Sequence, residues 1–424
     1  MNFAAGMSMT GARAALALAL VFICTSCGDV YRPVATPIAP NPPNPNFSHV
    51  ALVITGNGSS HPGASTSIDV SGDTAVSQST VGLMPVQAAL VQNGTRVYVA
   101  NSLDDTVSTF SPSAAAPVTT ISLPTGSDPT FVATAESAAV YVANSGNNTV
   151  SVISTTSNVV EPPLSGIPVG VSPVALAETP NQQYLFVANR GRGGSGGSVT
   201  SINPVDHSVN PPVANATWVS PVSVVARSDS NRVYLLDQGS GMVSAINPAT
   251  NAVVTSVSVG VGANFMLYDP TRNRLYVANP VANTVIYLDA SSDVLSAVVI
   301  AVANPVAVAA LPDGSRAYVS SASVSGGNVT SKVTVINAAD GSVRTTIPLT
   351  TATKVCASNP SELPIAAAVD SSRVYVGNCD AGNVAIIQTL NDTMLLQMPA
   401  PLSASFSTTG TPLPQNPVFV VAGP

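Results

Sequence analysis

At 424 residues the chain is 45% apolar but only 8% charged, far below the roughly 25% charge of an ordinary soluble protein and too apolar for disorder. Its net charge of −7, from 14 basic and 21 acidic residues with no basic cluster, excludes a nucleic-acid partner held by a basic stripe. Abundant Val, Ala, Ser, Thr, Asn, Gly and Pro fit an all-β protein with many tight turns.

The first 27 residues carry Arg13, then the apolar run Ala14–Ile23, which is too short to span a bilayer but suits the core of an export signal. The run ends in Cys24-Thr25-Ser26-Cys27-Gly28. This segment resembles a bacterial lipobox, with small residues before the Cys and Gly after it, although Cys24 stands where that pattern usually has Leu. The resemblance implies lipidation at Cys27, export, and anchoring in the cell envelope; in a Gram-negative organism Gly28 points to the outer membrane or cell surface. The alternative is an ordinary cleaved signal peptide. Residues 28–48 follow, with prolines at 33, 37, 40, 42, 43 and 45. Such a segment favours extended polyproline II, a semi-rigid tether of roughly 50 Å or more. Residues 49–424 are then the folded domain.

From Arg96 onward one motif recurs. Tyr98–Asn101 has near-copies at Tyr141–Asn144, Phe186–Asn189, Tyr234–Asp237, Tyr276–Asn279, Tyr318–Ser321 and Tyr375–Asn378, most of them 42–48 residues apart. A period of that size marks a repeat architecture. Within one unit, Pro85–Leu90 reads as a first strand and Arg96–Ala100 as a second. Thr106–Phe110 reads as a third and Val118–Leu123 as a fourth. Second and third strands are apolar almost without interruption, which requires cover on both faces, as in blades stacked around an axis. First strands open on a proline, at Pro129, Pro173, Pro221, Pro305 and Pro364, where no ladder bond is yet needed. Their small side chains suit a narrow central channel.

Tyr-Val-Ala-Asn followed by Thr-Val-Ser-Val-Ile, as at Tyr141–Asn144 and Thr149–Ile153, resembles the YVTN family of β-propeller repeats over roughly residues 48–400. That resemblance implies an envelope or surface-layer protein that is usually not an enzyme, bordering on lactonase-like propellers. The ends bear on closure. Residues 49–55, 65–71 and 75–82 lack a first strand, and Pro417–Val421 is a first strand without followers. Joined, they make seven complete four-stranded blades plus a composite eighth; the alternative is a seven-bladed ring with the terminal strands outside.

The recurring side chains read as architecture. The Asn ending each motif (Asn101, Asn144, Asn189, Asn279, Asn378) suits turn chemistry, where left-handed backbone is tolerated. The Arg preceding each Tyr (Arg96, Arg232, Arg274, Arg316, Arg373) is expected to pair with the acid upstream in its own hairpin, such as Asp229, Asp313 or Asp370. His49, His61 and His207 show no metal spacing, and no nucleophile elbow, P-loop or dinucleotide fingerprint occurs, so neither catalytic residues nor a metal or other cofactor is assigned. Gly191–Gly197 lacks the ending and helix of a phosphate loop and reads as a flexible second-to-third-strand loop.

Binding candidates are therefore loop residues: Arg190 and Arg192 for an anionic partner, Asp104, Asp105, Asp237 and Asp380 on turns, and Lys332 at the end of the loop 321–332. Asp104, Asp105 and Asp380 show no convergence of the kind a calcium site needs. Cys356, in an insertion at 351–363, and Cys379 lie on loops that emerge on one face, so a disulfide is expected, with two free thiols as the alternative. The functional reading is a non-catalytic envelope lipoprotein whose propeller binds or scaffolds a protein or glycan. The alternatives are a lactonase-like enzyme and a surface-layer component.

Overall fold

The computed structural model describes residues 49–56, 58–113, 117–134, 138–214, 216–292, 295–356, 363–400 and 415–423. The expected signal segment with Cys27 and the expected tether at 28–48 lie outside the described residues. Among those described, the structure is all β, in eight antiparallel sheets arranged as the blades of a propeller. In the first blade, Pro85–Leu90, Val97–Asn101, Thr106–Phe110 and Thr119–Ser122 lie side by side in chain order, innermost to outermost.

Closure is composite. Asn416–Gly423 is the innermost strand of a sheet completed by Val50–Gly56, Pro62–Asp69 and Thr74–Leu83, with Val53 opposite Val420 and Leu52 opposite Ser67. This decides for eight blades over seven. The ladder between the two ends of the chain also leaves no open first or last blade.

The core is not one mass but eight, each between neighbouring blades. Tyr98 and Ala100 pack towards the second blade with Val140 and Val142, whereas Val97 and Val99 pack the other way, against Leu52 and Ile54 of the composite blade. Alternate side chains of one strand thus feed two cores, which is why the strand reads as a continuous apolar run. The repeat aromatics Tyr98, Tyr141, Phe186, Tyr234, Tyr276, Tyr318 and Tyr375 are fully buried. Each Val or Leu so buried contributes about 1.5–3 kcal/mol.

Two blades depart from four strands. In the third blade (residues 173–202) only three strands form, and the fourth is reduced to a bridge between Ile202 and Val209. Pro204, Pro211 and Pro212 lie in that stretch and cannot donate to a ladder. In the sixth blade a fifth short strand, Ala352–Thr353, pairs with the long third strand.

Five innermost strands share one irregularity. Immediately after the initial proline the register shifts, between Pro85 and Gln87, Pro129 and Phe131, Pro173 and Ala175, Pro221 and Ser223, and Pro305 and Ala307. A bulge there sets two residues of the innermost strand opposite one of the second strand.

Candidate functional site

The motif Asn sits at the end of its second strand. It is buried and extended, with no left-handed φ, yet Asn279 and Asn378 accept from Ala282 N and Ala381 N of their own turns (2.9 and 3.4 Å), so the expected turn chemistry holds there without the left-handed backbone. The carboxamide also braces neighbouring strands. Asn101 donates to Thr106 Oγ1 (3.1 Å) and Ser108 Oγ (3.0 Å) and accepts from Gly82 N of the preceding blade (3.1 Å). Asn144 and Asn189 donate to equivalent hydroxyls, on Ser151 and Thr200. Asn279 and Asn378 donate to carbonyls of the preceding blade, Val259 O and Thr350 O.

The acids on this face are engaged in the same way. Asp104 accepts from Leu83 N and Thr106 Oγ1, and Asp105 from Gly126 N and Asp128 N. Buried Asp237, standing where other copies have Asn, accepts from Val219 N, Ser220 N and Ser240 Oγ. Each holds the loop that enters a first strand. Among the described residues no three His, Cys, Asp or Glu side chains gather around one point.

The repeat fails most at one corner of this face. Residues 321–332, read as a loop, are a β-hairpin: Arg316–Ser325 pairs with Asn328–Asn337 up to Ser325 opposite Asn328. The turn is Gly326-Gly327, both with positive φ (57° and 81°), the type I′ geometry that suits a two-residue hairpin. Lys332 lies half-buried opposite Ser321 in this hairpin. Ala352–Thr353 pairs with its tip, Asn328 opposite Thr353, and Lys354 N donates to Gly327 O (2.9 Å). Asp380, in the seventh blade, accepts from Val355 N and Cys356 N (2.7 and 2.8 Å) and pairs with Lys354 Nζ at 3.5 Å. Cys356 and Cys379 are joined as a disulfide. Residues 357–362 of the insertion lie outside the described residues. Hairpin tip, insertion and seventh blade are thus tied together by a ladder, an ion pair and a covalent bond, with Val324 and Val355 exposed on the outside.

In the third blade, Arg192 and Ser195 bridge across Gly193-Gly194, again both positive φ, so the Gly-rich segment closes as a tight turn. Arg190 and Arg192 are exposed there, Arg190 donating to Gln238 Oε1 (3.3 Å). These two, the turn acids and Lys332 therefore lie on several blades rather than converging in one site.

On the opposite face the expected pairing of Arg with its own hairpin acid is overturned. Arg316 and Tyr318 both reach Asp392 in the third-to-fourth-strand turn of the next blade, and Arg344 Nε meets the other carboxylate oxygen at 2.6 Å. Arg373 and Tyr375 reach Asp73 in the composite blade, with Arg373 Nη2 at 2.9 Å. Tyr98 donates to Asn158 (2.7 Å) and Tyr234 to Ala290 O (3.2 Å), each again in that turn of the next blade. Arg274 donates to Ala338 O likewise. The geometric reason is that an Arg or Tyr at the start of a second strand projects across the interface, while Asp313 and Asp370 are occupied by turn amides, Ser315 N and Ser372 N. Asp229 pairs with Arg227 in its own turn, and that guanidinium holds its carboxyl well below the usual range. Asp73, Asn158 and Asp392 share a left-handed φ (50°, 55° and 56°). A short polar residue at that turn was the signal in the sequence that would have found them.

At the centre is a cavity of about 560 Å³ lined by the first strands. Val86, Phe131, Phe265, Leu267, Ile365 and Phe419 contribute to it, and among the described residues no ionisable side chain does.

The chain is similar in structure to AztD from Citrobacter koseri, with a TM-score of 0.61 at 14% identity, covering 89% of this chain and 98% of that one. It is also similar to a candidate 6-phosphogluconolactonase from Bacteroides uniformis, with a TM-score of 0.53 at 13% identity over 88% and 99%. Hydrazine synthase from Kuenenia stuttgartiensis matches with a TM-score of 0.51 at 18% identity over 68% and 92%. These likenesses show the fold. No protein-family model matches the sequence, and no curated protein does.

Proposed function

We propose that this chain is a non-catalytic cell-envelope lipoprotein with YVTN-type repeats, anchored through lipid on Cys27 and held off the membrane by residues 28–48. Its propeller binds a partner at the disulfide-tied corner. The observation that carries this reading is that corner: the greatest departure from the repeat, braced by Asp380, Lys354 and the Cys356–Cys379 bond, and presenting Val324 and Val355 outward. Bracing lowers the ordering cost of binding, and exposed apolar side chains favour a protein partner over a glycan. A lactonase-like enzyme needs acid–base groups at the channel, and the lining supplies none.

The test is crosslinking in envelope preparations, comparing the natural chain with Val324→Glu and Val355→Glu. A protein adduct lost in both variants supports the reading. An unchanged adduct, capture of glycan alone, or turnover on a lactone panel overturns it. Anchoring is read separately: Cys27→Ser should abolish incorporation of labelled fatty acid and release the chain from membranes.

A further inference from the structure

We propose that the central channel binds a single hydrocarbon chain, such as the aliphatic tail of a fatty alcohol or acid. Its lining is almost wholly aliphatic and aromatic, contributed by the first strands of seven blades, and it contains no charge. In the first two blades successive residues at the register shift line it together, Val86 with Gln87 and Thr130 with Phe131.

Two polar side chains line the lumen, and the oxygen of each is engaged. Gln87 Oε1 accepts from Val132 N (2.6 Å), and the Thr130 hydroxyl donates to Pro173 O (2.9 Å). A polar ligand would lose its water there and find little to replace it, so the lumen selects for apolar surface.

Shape narrows the class. In the composite blade five consecutive residues, Val418 to Ala422, line the cavity. At 3.3 Å per residue that run is about 13 Å long, which makes a cavity of this volume elongated. An extended chain fits such a form better than a compact ring system.

The mouth continues the same chemistry. Met84, Val171, Val219 and Val261 are exposed, and each stands within four residues before a first strand, on the face where those strands begin. A chain entering from that face meets apolar surface before the lumen.

The test uses the full chain with Cys27→Ala, so that neither attached lipid nor detergent competes. N-phenylnaphthylamine serves as the fluorescent probe and dodecanol as the displacer. The natural lumen should enhance probe fluorescence, and dodecanol should reverse it. Replacing Ala366 by Leu and by Phe, and Ala310 by Phe, should weaken binding in order of added volume, by about tenfold or more for Phe. The graded series keeps a folded variant in hand if a Phe substitution disrupts the blade, as circular dichroism would reveal. Val299→Ser, on the exposed outermost strand of the fifth blade, should change nothing. Failure of the natural protein to bind, affinity indifferent to every lumen substitution, or loss only with Val299→Ser would each overturn the proposal.

Discussion

Asp392 is the sharpest point at which to test how the blades are joined. Its side chain is 1% exposed and faces Arg316, 16% exposed, and Arg344, 50% exposed. Tyr318 donates to the same carboxylate. Asp392→Asn keeps the shape, and Asn tolerates the left-handed φ of 56° found there. What it removes is the charge, leaving the Arg316 guanidinium largely buried without its counter-ion. Breaking a buried pair in this way costs about 3 kcal/mol or somewhat more. For a domain of roughly 375 residues, 2.1 cal/mol/K per residue gives an unfolding entropy near 0.8 kcal/mol/K, so Tm should fall by about 4 °C. The half-exposed Arg344 pair is screened by solvent, so Arg344→Ala should cost under about 1 kcal/mol. Calorimetry on both variants decides. A Tm for Asp392→Asn within about 1 °C of the natural protein, or equal effects of the two substitutions, would refute the view that a buried ion pair locks the sixth blade to the seventh.

Replacing both Cys356 and Cys379 by Ser opens a loop with a sequence separation of 23, which the chain-entropy model values at about 3.5 kcal/mol; denaturant melts of the natural and double-Ser proteins measure it. Burial pushes the hydroxyls of Tyr98, Tyr234, Tyr276, Tyr318 and Tyr375 up. A raised folded value means that their contribution is whole below the ordinary tyrosine pKa of about 10 and is lost as pH climbs beyond it. Tyrosinate absorbance from these five should therefore appear together with loss of the β-sheet signal, and free titration near pH 10 in the folded state would refute it. Asp237→Ala strands Val219 N, Ser220 N and the Ser240 hydroxyl, and should cost about 2 kcal/mol or more by thermal melt.

The fold was legible because the repeat records burial directly. Val97 to Asn101 is apolar on both sides, since each side faces a different blade, and seven such runs fix seven interfaces before any coordinate is known. The composite blade was legible from what each terminus lacks. The partners of the recurring polar residues were not. A sequence places Arg316 beside Asp313, three residues away, but the strand's direction aims it 76 residues along the chain, at Asp392. The Asn side chain likewise reaches neighbouring strands, in addition to its own turn at Asn279 and Asn378. Local spacing captures turn amides, as at Asp370 with Ser372. It does not capture contacts created only when blades stack.

That distinction bears on where recognition can lie. The chain has few charges, and the carboxylates described on its two faces are largely consumed: Asp104, Asp105 and Asp237 on loop amides, Asp73 and Asp392 on the next blade's partners, Asp380 on the insertion. A side chain already accepting two or three hydrogen bonds has little capacity for a ligand. Binding built on such residues would also cost the fold its braces. Apolar groups remain free of such duties: the hairpin tip with Val324, the insertion with Val355, and the aliphatic channel. A repeat that uses its charge to join blades thus leaves contact to shape and apolar surface. It does so where the repeat is broken, at the disulfide-tied corner, and where eight bladed sheets converge, along the axis.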